Sequence, residues 1–374
     1  MMYDVVVAGL GGMGSAAIAH CASRGARVLG LEQFARGHAL GASAGKSRVI
    51  RRAYFEGRAY VPLLDRAYAL WRELDADWPQ RILYDTGLIT IGYRGCEVLE
   101  RAAEAARSAG VLHEVIAAEE IRRRYPALSV RDDEYAVFEP EGGFIVPESA
   151  TAAHLRLAER HGAVLRFETS VRGWQSAREG LRIDLADGNS IAASRLILTL
   201  GPWFDRIFGQ LGVPIRVQRN VMAWFRPRHA LGLGELPVFL LYRREFPAQA
   251  YGFPDVGHGV KIGLHGFGPD TQAGALDRAI DAERDVAPLA AAFESWAPGA
   301  AQTFIEGKAC MYTLTPDGHF VVDRHPEDAR VVLCGGFSGH GFKFASVIGE
   351  IAAGLALRGE SGHDLAFLSL RRFL

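Results

Sequence analysis

Near the start of the chain, Gly9-Leu10-Gly11-Gly12-Met13-Gly14 has the GxGxxG spacing that lets backbone close around a pyrophosphate. Gly9 permits the tight turn, Gly11 admits the phosphates, and Gly14 lets the following helix pack closely on its strand. Roughly twenty residues further on, Glu32 stands where an acid would hold adenosine ribose hydroxyls. The surrounding pattern supplies the required frame. Tyr3 to Ala8 is a short β-branched run of the buried parallel type, Met13 to Ser23 is an Ala-rich helix, and Arg24-Gly25 closes it. Arg27 to Leu31 gives a second strand, so the unit is βαβ with a right-handed crossover. This fingerprint leaves FAD and NAD both open, whereas the acid at Glu32 argues against NADP. Gly45-Lys46-Ser47 resembles the end of a P-loop, but Leu40 stands where that motif needs glycine and no strand leads into it.

Further elements follow from periodicity. Tyr60 to Trp78 carries Leu63, Leu64, Ala67, Leu70 and Trp71 at helical spacing, and Gly87 to Tyr93 alternates like a strand. Glu97 to Gly110 reads as a charged helix, and Glu134 to Val146 as strands around Gly142-Gly143. Pro147-Glu148-Ser149 opens another helix. Strands are expected over Val164 to Glu168, Val171 to Trp174 and Leu181 to Leu185, with Asp187-Gly188-Asn189 as a hairpin turn before a run ending at Leu200. Ile215 to Ile262 reads as strands with long loops. Val331 to Gly336 then gives strand and glycines, followed by a helix from about Phe344 to Leu357.

The composition excludes several classes. The chain has 374 residues, 49% hydrophobic and 23% charged, with a formal net charge of −1, the balance of a soluble two-domain enzyme. Arg122-Arg123-Arg124 reads as a solvated helix face, so no nucleic-acid footprint is present. Asp4 lies where a signal peptide would be basic, and no apolar run is long enough to span a bilayer. Cys21, Cys96, Cys310 and Cys334 lack metal or CxxC spacing, which points to the cytoplasm and to no metal site. By itself, each thiol reads as a small buried hydrophobe.

Beyond the fingerprint, several motifs fall in one order: Ser47-Arg48-Val49-Ile50-Arg51, Tyr60-Val61-Pro62, Tyr251-Gly252-Phe253-Pro254 and Lys261-Ile262-Gly263. They are followed by Ala309-Cys310-Met311-Tyr312-Thr313 and Phe337-Ser338-Gly339-His340-Gly341-Phe342-Lys343-Phe344. Together they resemble, over essentially the whole chain, the monomeric sarcosine oxidase and N-methyltryptophan oxidase group of FAD-dependent amine oxidoreductases.

That resemblance implies roles residue by residue. Cys310 matches the cysteine joined to the flavin 8α-methyl group. Arg51 and Lys343 match the pair that grips the substrate carboxylate, the guanidinium as a fork and the ammonium as a point charge. Lys261 matches the lysine that activates oxygen beside the flavin, although from its own strand it reads as an ordinary solvent-facing lysine. Arg48 matches a second cation near the flavin, and Tyr251, His265 and Tyr312 match residues lining the substrate pocket. Gly339 and Gly341 would let the amides before the last helix approach the flavin pyrimidine, where the helix dipole favours negative charge.

The implied activity is an oxidase of secondary amino acids, N-methylated or cyclic, that turns the amine into an imine and dioxygen into hydrogen peroxide. The nearest alternatives are a dehydrogenase with another acceptor and a primary D-amino acid or glycine oxidase; a non-catalytic flavin-binding protein is the alternative from another class. One departure stands out. Gly41-Ala42-Ser43-Ala44-Gly45-Lys46-Ser47-Arg48 has Ala44 where relatives have histidine and Lys46 where they have an acid. The expected fold is α/β, a Rossmann-type FAD-binding domain (residues 1–80, 145–210 and 300–374) interleaved with a mixed-sheet substrate domain (81–144 and 211–299). A monomer is expected, with an amino acid and dioxygen as its partners.

Overall fold

A computed structural model describes residues 2–374. The opening unit forms as its pattern predicts: β1 (Tyr3–Ala8), α1 (Gly12–Ser23) and β2 (Val28–Leu31), with β1 and β2 parallel. Strand Ser190–Leu198 runs parallel to β1 on its other side, and Val331–Gly335 lies parallel to that strand in turn. Chain segments from the beginning, middle and end therefore meet in one eight-stranded sheet. Its central strands are apolar on both faces because both faces are covered. Val5, Val7 and Val28 pack on one side with α1 and the helices Pro147–Arg160 and Ala345–Leu357. Val6, Ala8, Leu29 and Leu31 pack on the other with Leu181, Ile183, Phe204 and Phe208. The expected hairpin joins Gly180–Leu185 antiparallel to Ser190–Leu198.

A second, nine-stranded sheet is mixed. Val238–Leu241 pairs parallel with Leu88–Tyr93, whereas Arg216–Arg226, Val260–Leu264 and Ala250–Phe253 are antiparallel neighbours. Strand Thr303–Leu314, grouped by sequence with the FAD-binding segment from residue 300, instead pairs with Arg216–Arg226 in this second sheet. The reason is length. A twelve-residue strand needs a partner that can satisfy its backbone groups, and the eleven-residue Arg216–Arg226 is the match. Cys310 and Tyr312 thereby sit in the second sheet, facing the dinucleotide unit.

A small third sheet of Arg48–Ile50, Gly143–Ile145 and Leu83–Asp85 carries the chain from Arg48 to Arg51. Among the described residues, no helix is long and apolar enough to cross a membrane.

Candidate active site

A cavity of about 1280 Å³ runs from the N-terminus of α1 to the second sheet. That exceeds the usual span of a small-ligand pocket, roughly 300–1,000 Å³, and suits a dinucleotide together with a substrate. At one end lie Gly9, Gly11 and Glu32; at the other lie Arg48, Arg51, Tyr251, His265, Cys310, Tyr312, Gly339, Gly341 and Lys343. Gly14 and Lys261 stand behind the wall.

The first end fits a dinucleotide. A Cβ on Gly14 would lie 1.8 Å from the Gly9 carbonyl oxygen, so only glycine lets α1 seat against the end of β1. The N-cap of α1, Gly11, offers no side chain to its first-turn amides, which are placed to meet phosphate; of these, Gly12 N donates to Ser43 Oγ at 3.0 Å. Glu32 accepts from the amides of Leu10 at 2.8 Å and Phe34 at 3.1 Å. Burial works against its charge, but the His38 ring and those amides prevail and hold the carboxyl below its usual range. An ionised acceptor at this point matches ribose hydroxyls.

The second end is built from two cations and their neighbours. Arg51 is buried, and its Nη2 donates to both carboxylate oxygens of Glu56, at 2.8 and 2.7 Å. Burial opposes the charge on Glu56, yet Arg51 above all, then His340 and Lys343, hold its carboxyl down to about 2. Lys343 is also buried, and its Nζ donates to the His340 carbonyl at 2.7 Å. Burial pulls the Lys343 ammonium down to about 7, with Glu56 pulling the other way. Arg51 and Lys343 thus share one end of the cavity, although nearly three hundred residues separate them.

Around this pair, His265 Nδ1 lies 3.2 Å from Tyr312 Oη, and burial brings the imidazole down to about 4, so it is neutral near pH 7. Tyr312 crowds Gly339, where a Cβ would come within 2.4 Å of the Tyr312 ring. Strand alternation puts Cys310 and Tyr312 on one face, opposite Asn220 and Gln218 of the neighbouring strand. Cys310 is buried among Ala42, Met222, Trp224 and Tyr251, with Sγ 3.5 Å from the Ala42 carbonyl.

Lys261 does not face water. It is 1% exposed, and its Nζ donates to the carbonyls of Gly45 and Ser47, both at 2.8 Å, and to Ser47 Oγ at 3.1 Å. On the other side of the same turn, Glu148 accepts from the amides of Gly45 and Lys46. The turn is thus held between an amine donor on its carbonyls, whose charge burial and the nearby Arg48 disfavour, and an anion on its amides. Arg48, which leaves this turn, donates to the carbonyls of Ala42, Ala44 and Ser47. Of the two departures, Ala44 lines the cavity, whereas Lys46 turns away to pair with Glu306 over the Trp224 ring.

Four further residues at the site were given no role by the sequence, although His340 falls within the last of its motifs. Glu56 occupies the Arg51 fork, and Tyr54 lies under both cations. His340 contacts both Tyr54 and Lys343. Asn220 lines the cavity with its Nδ2 committed to Gln218, while its buried Oδ1 has no partner among the described residues. A short loop around an arginine, or a strand next to a cysteine, was the only other hint.

Comparison with known proteins agrees with this geometry. Residues 4–355 match the FAD dependent oxidoreductase family. The chain is 40% identical to a monomeric sarcosine oxidase of Streptomyces avermitilis, over 99% of this chain and 97% of that protein. It is 31% identical to an N-methyl-L-tryptophan oxidase of Yersinia pestis, over the full length of both. Solved structures share the fold. The amino acid oxidase NikD superposes with a TM-score of 0.86 at 24% identity, over 98% of this chain and 97% of that one. Glycine oxidase from Geobacillus kaustophilus superposes with a TM-score of 0.84 at 24% identity, over 99% and 98%. With a family match across nearly the whole chain and a cavity that fits the dinucleotide at one end and an anion at the other, this chain belongs to the FAD-dependent oxidoreductases.

Proposed function

We propose that the protein is an oxidase of secondary amino acids, N-methylated or cyclic, and that its FAD is joined through the 8α-methyl group to Cys310. The observation that carries this reading is the meeting of Arg51 and Lys343 at the end of the dinucleotide cavity where Cys310 also opens. In this reading the substrate carboxylate displaces Glu56 from the Arg51 fork and takes a second contact from Lys343. Tyr251, His265 and Tyr312 then enclose the amine, which binds in its neutral form after releasing its proton to solvent. A neutral secondary amine needs no strong base to lose hydride, and none is assigned. FAD, when bound, would supply the two-electron acceptor for the C–N oxidation, with dioxygen as the final acceptor and hydrogen peroxide as its product. The resulting imine is hydrolysed by water to an amine and a carbonyl compound.

Gly9, Gly11, Gly14, Glu32, Gly339 and Gly341 form the cofactor cradle in this account. Lys261 and Arg48 place positive charge near the reacting ring, with Lys261 acting through the Gly45–Ser47 turn that it holds. The names of the two sequence relatives support secondary amines over primary ones. Residues 1–80, 145–210 and the segment after Leu314 would form the FAD-binding domain, and the protein would work in the cytoplasm as a monomer.

Denaturing precipitation of the FAD-loaded protein tests the linkage. Yellow colour and added flavin mass in the pellet, both lost in Cys310→Ala, are expected. Flavin released entirely into the supernatant would rule the bond out.

A further inference from the structure

Arg51 and Lys343 come from opposite ends of the chain, so something local must fix their spacing. Tyr54 is fully buried, and its ring lies under both cations: Arg51 Cζ is 4.6 Å and Lys343 Nζ 5.2 Å from its centroid. Both distances are within cation–π range, where the negative ring face attracts each charge. Tyr60 and Phe344 pack edge-on against the ring, at 5.2 and 5.4 Å between centroids, and limit its rotation.

The hydroxyl is also fixed. Tyr54 Oη lies 2.5 Å from His340 Nδ1, and His340 Nε2 lies 3.0 Å from the Gly318 carbonyl. A carbonyl only accepts, so Nε2 carries the proton and Nδ1 accepts from the Tyr54 hydroxyl. The backbone carbonyl of the same His340 takes the Lys343 ammonium. On the far side, Trp71 Nε1 donates to the Lys343 carbonyl at 2.8 Å.

We propose that Tyr54 is a positioning residue that sets the spacing and aim of Arg51 and Lys343 toward a carboxylate, with His340 pinning its hydroxyl. This rests on the reading of Arg51 and Lys343 as the carboxylate clamp. Tyr54 itself need not touch the substrate; it acts through the two cations. His340 is the joint between them, holding Tyr54 through its ring and Lys343 through its backbone.

The test is calorimetric binding of acetate, and of neutral acetamide as a control, to the FAD-loaded protein and its variants. Tyr54→Leu, which removes the shared ring, should weaken acetate by about tenfold while leaving acetamide within about twofold. Tyr54→Phe keeps the ring and loses only the bond to His340, so it should restore most of the affinity. The proposal is overturned if Tyr54→Leu binds acetate normally, if acetamide weakens in parallel, or if Tyr54→Phe is as impaired as Tyr54→Leu. Arg51→Lys and Lys343→Met separate the two levels. If both bind acetate normally, the clamp reading itself fails; if they weaken and Tyr54→Leu does not, only the role of Tyr54 fails.

Discussion

Arg51 and Glu56 form a two-point ion pair in which one guanidinium nitrogen meets both carboxylate oxygens, at 2.8 and 2.7 Å. On the proposed reading, the pair lies where the substrate carboxylate binds. Glu56 then stands in for the ligand group, and a ligand carboxylate must compete with it.

Removal of that competitor has a measurable consequence. At pH 6, below the region where Lys343 loses its charge, Glu56→Gln should bind acetate several-fold more tightly than the parent protein. Weaker binding would show that Glu56 supports the anion site instead of occupying it. The pH matters because Glu56 also helps keep Lys343 protonated.

If Lys343 is half of the carboxylate clamp, it should set the pH dependence of anion binding. Burial lowers its ammonium to about 7, so below that pH the charge is already present. Above it, the free protein must take up a proton to meet the carboxylate, and affinity should fall by up to about tenfold per pH unit. Acetate titrations from pH 6 to 9 read this directly, free of the substrate amine's own titration. Lys343→Met should bind weakly at all pH values and lose this slope; a slope that survives would assign the proton elsewhere.

Arg51 should not tolerate lysine. An ammonium cannot reproduce the fork that grips two oxygens, so Arg51→Lys should lower kcat/KM for an amino acid substrate by roughly tenfold to a hundredfold. The steady-state ratio measures it, and a change below about twofold would remove Arg51 from the clamp.

Lys261 tests the oxygen half of the account. Lys261→Met should slow reoxidation by dioxygen far more than reduction by substrate, on the order of a hundredfold for loss of one well-placed charge. Stopped-flow measurement of the two half-reactions separates them. Equal slowing would mean that Lys261 serves only to hold the Gly45–Ser47 turn.

The sequence made the first βαβ unit fully legible because each of its signals is local: β-branched run, glycines, small-residue helix, terminal acid. Arg51, Cys310, Lys261 and Lys343 were legible only through their motif context, since an isolated arginine or cysteine has many uses. The roles of Glu56, Tyr54, Asn220 and His340 (the last inside a quoted motif) were not legible, because they depend on packing between distant segments. The pairing of strand Thr303–Leu314 with Arg216–Arg226 was not legible for a related reason. The first half of the strand, Thr-Phe-Ile-Glu-Gly-Lys, is largely exposed and lacks clean alternation, and its partner lies some eighty residues earlier in the chain. Helix Ala287–Trp296 drew no expectation either, being short and Ala-rich behind a proline.

The most direct test of the central claim compares N-methylglycine with its carboxamide as substrates of the FAD-loaded protein, following hydrogen peroxide. Release of peroxide from the acid, with little or none from the amide, is the predicted result. Equal rates with both would contradict the carboxylate clamp, and no peroxide from this or any other secondary amino acid would contradict the assignment as an oxidase.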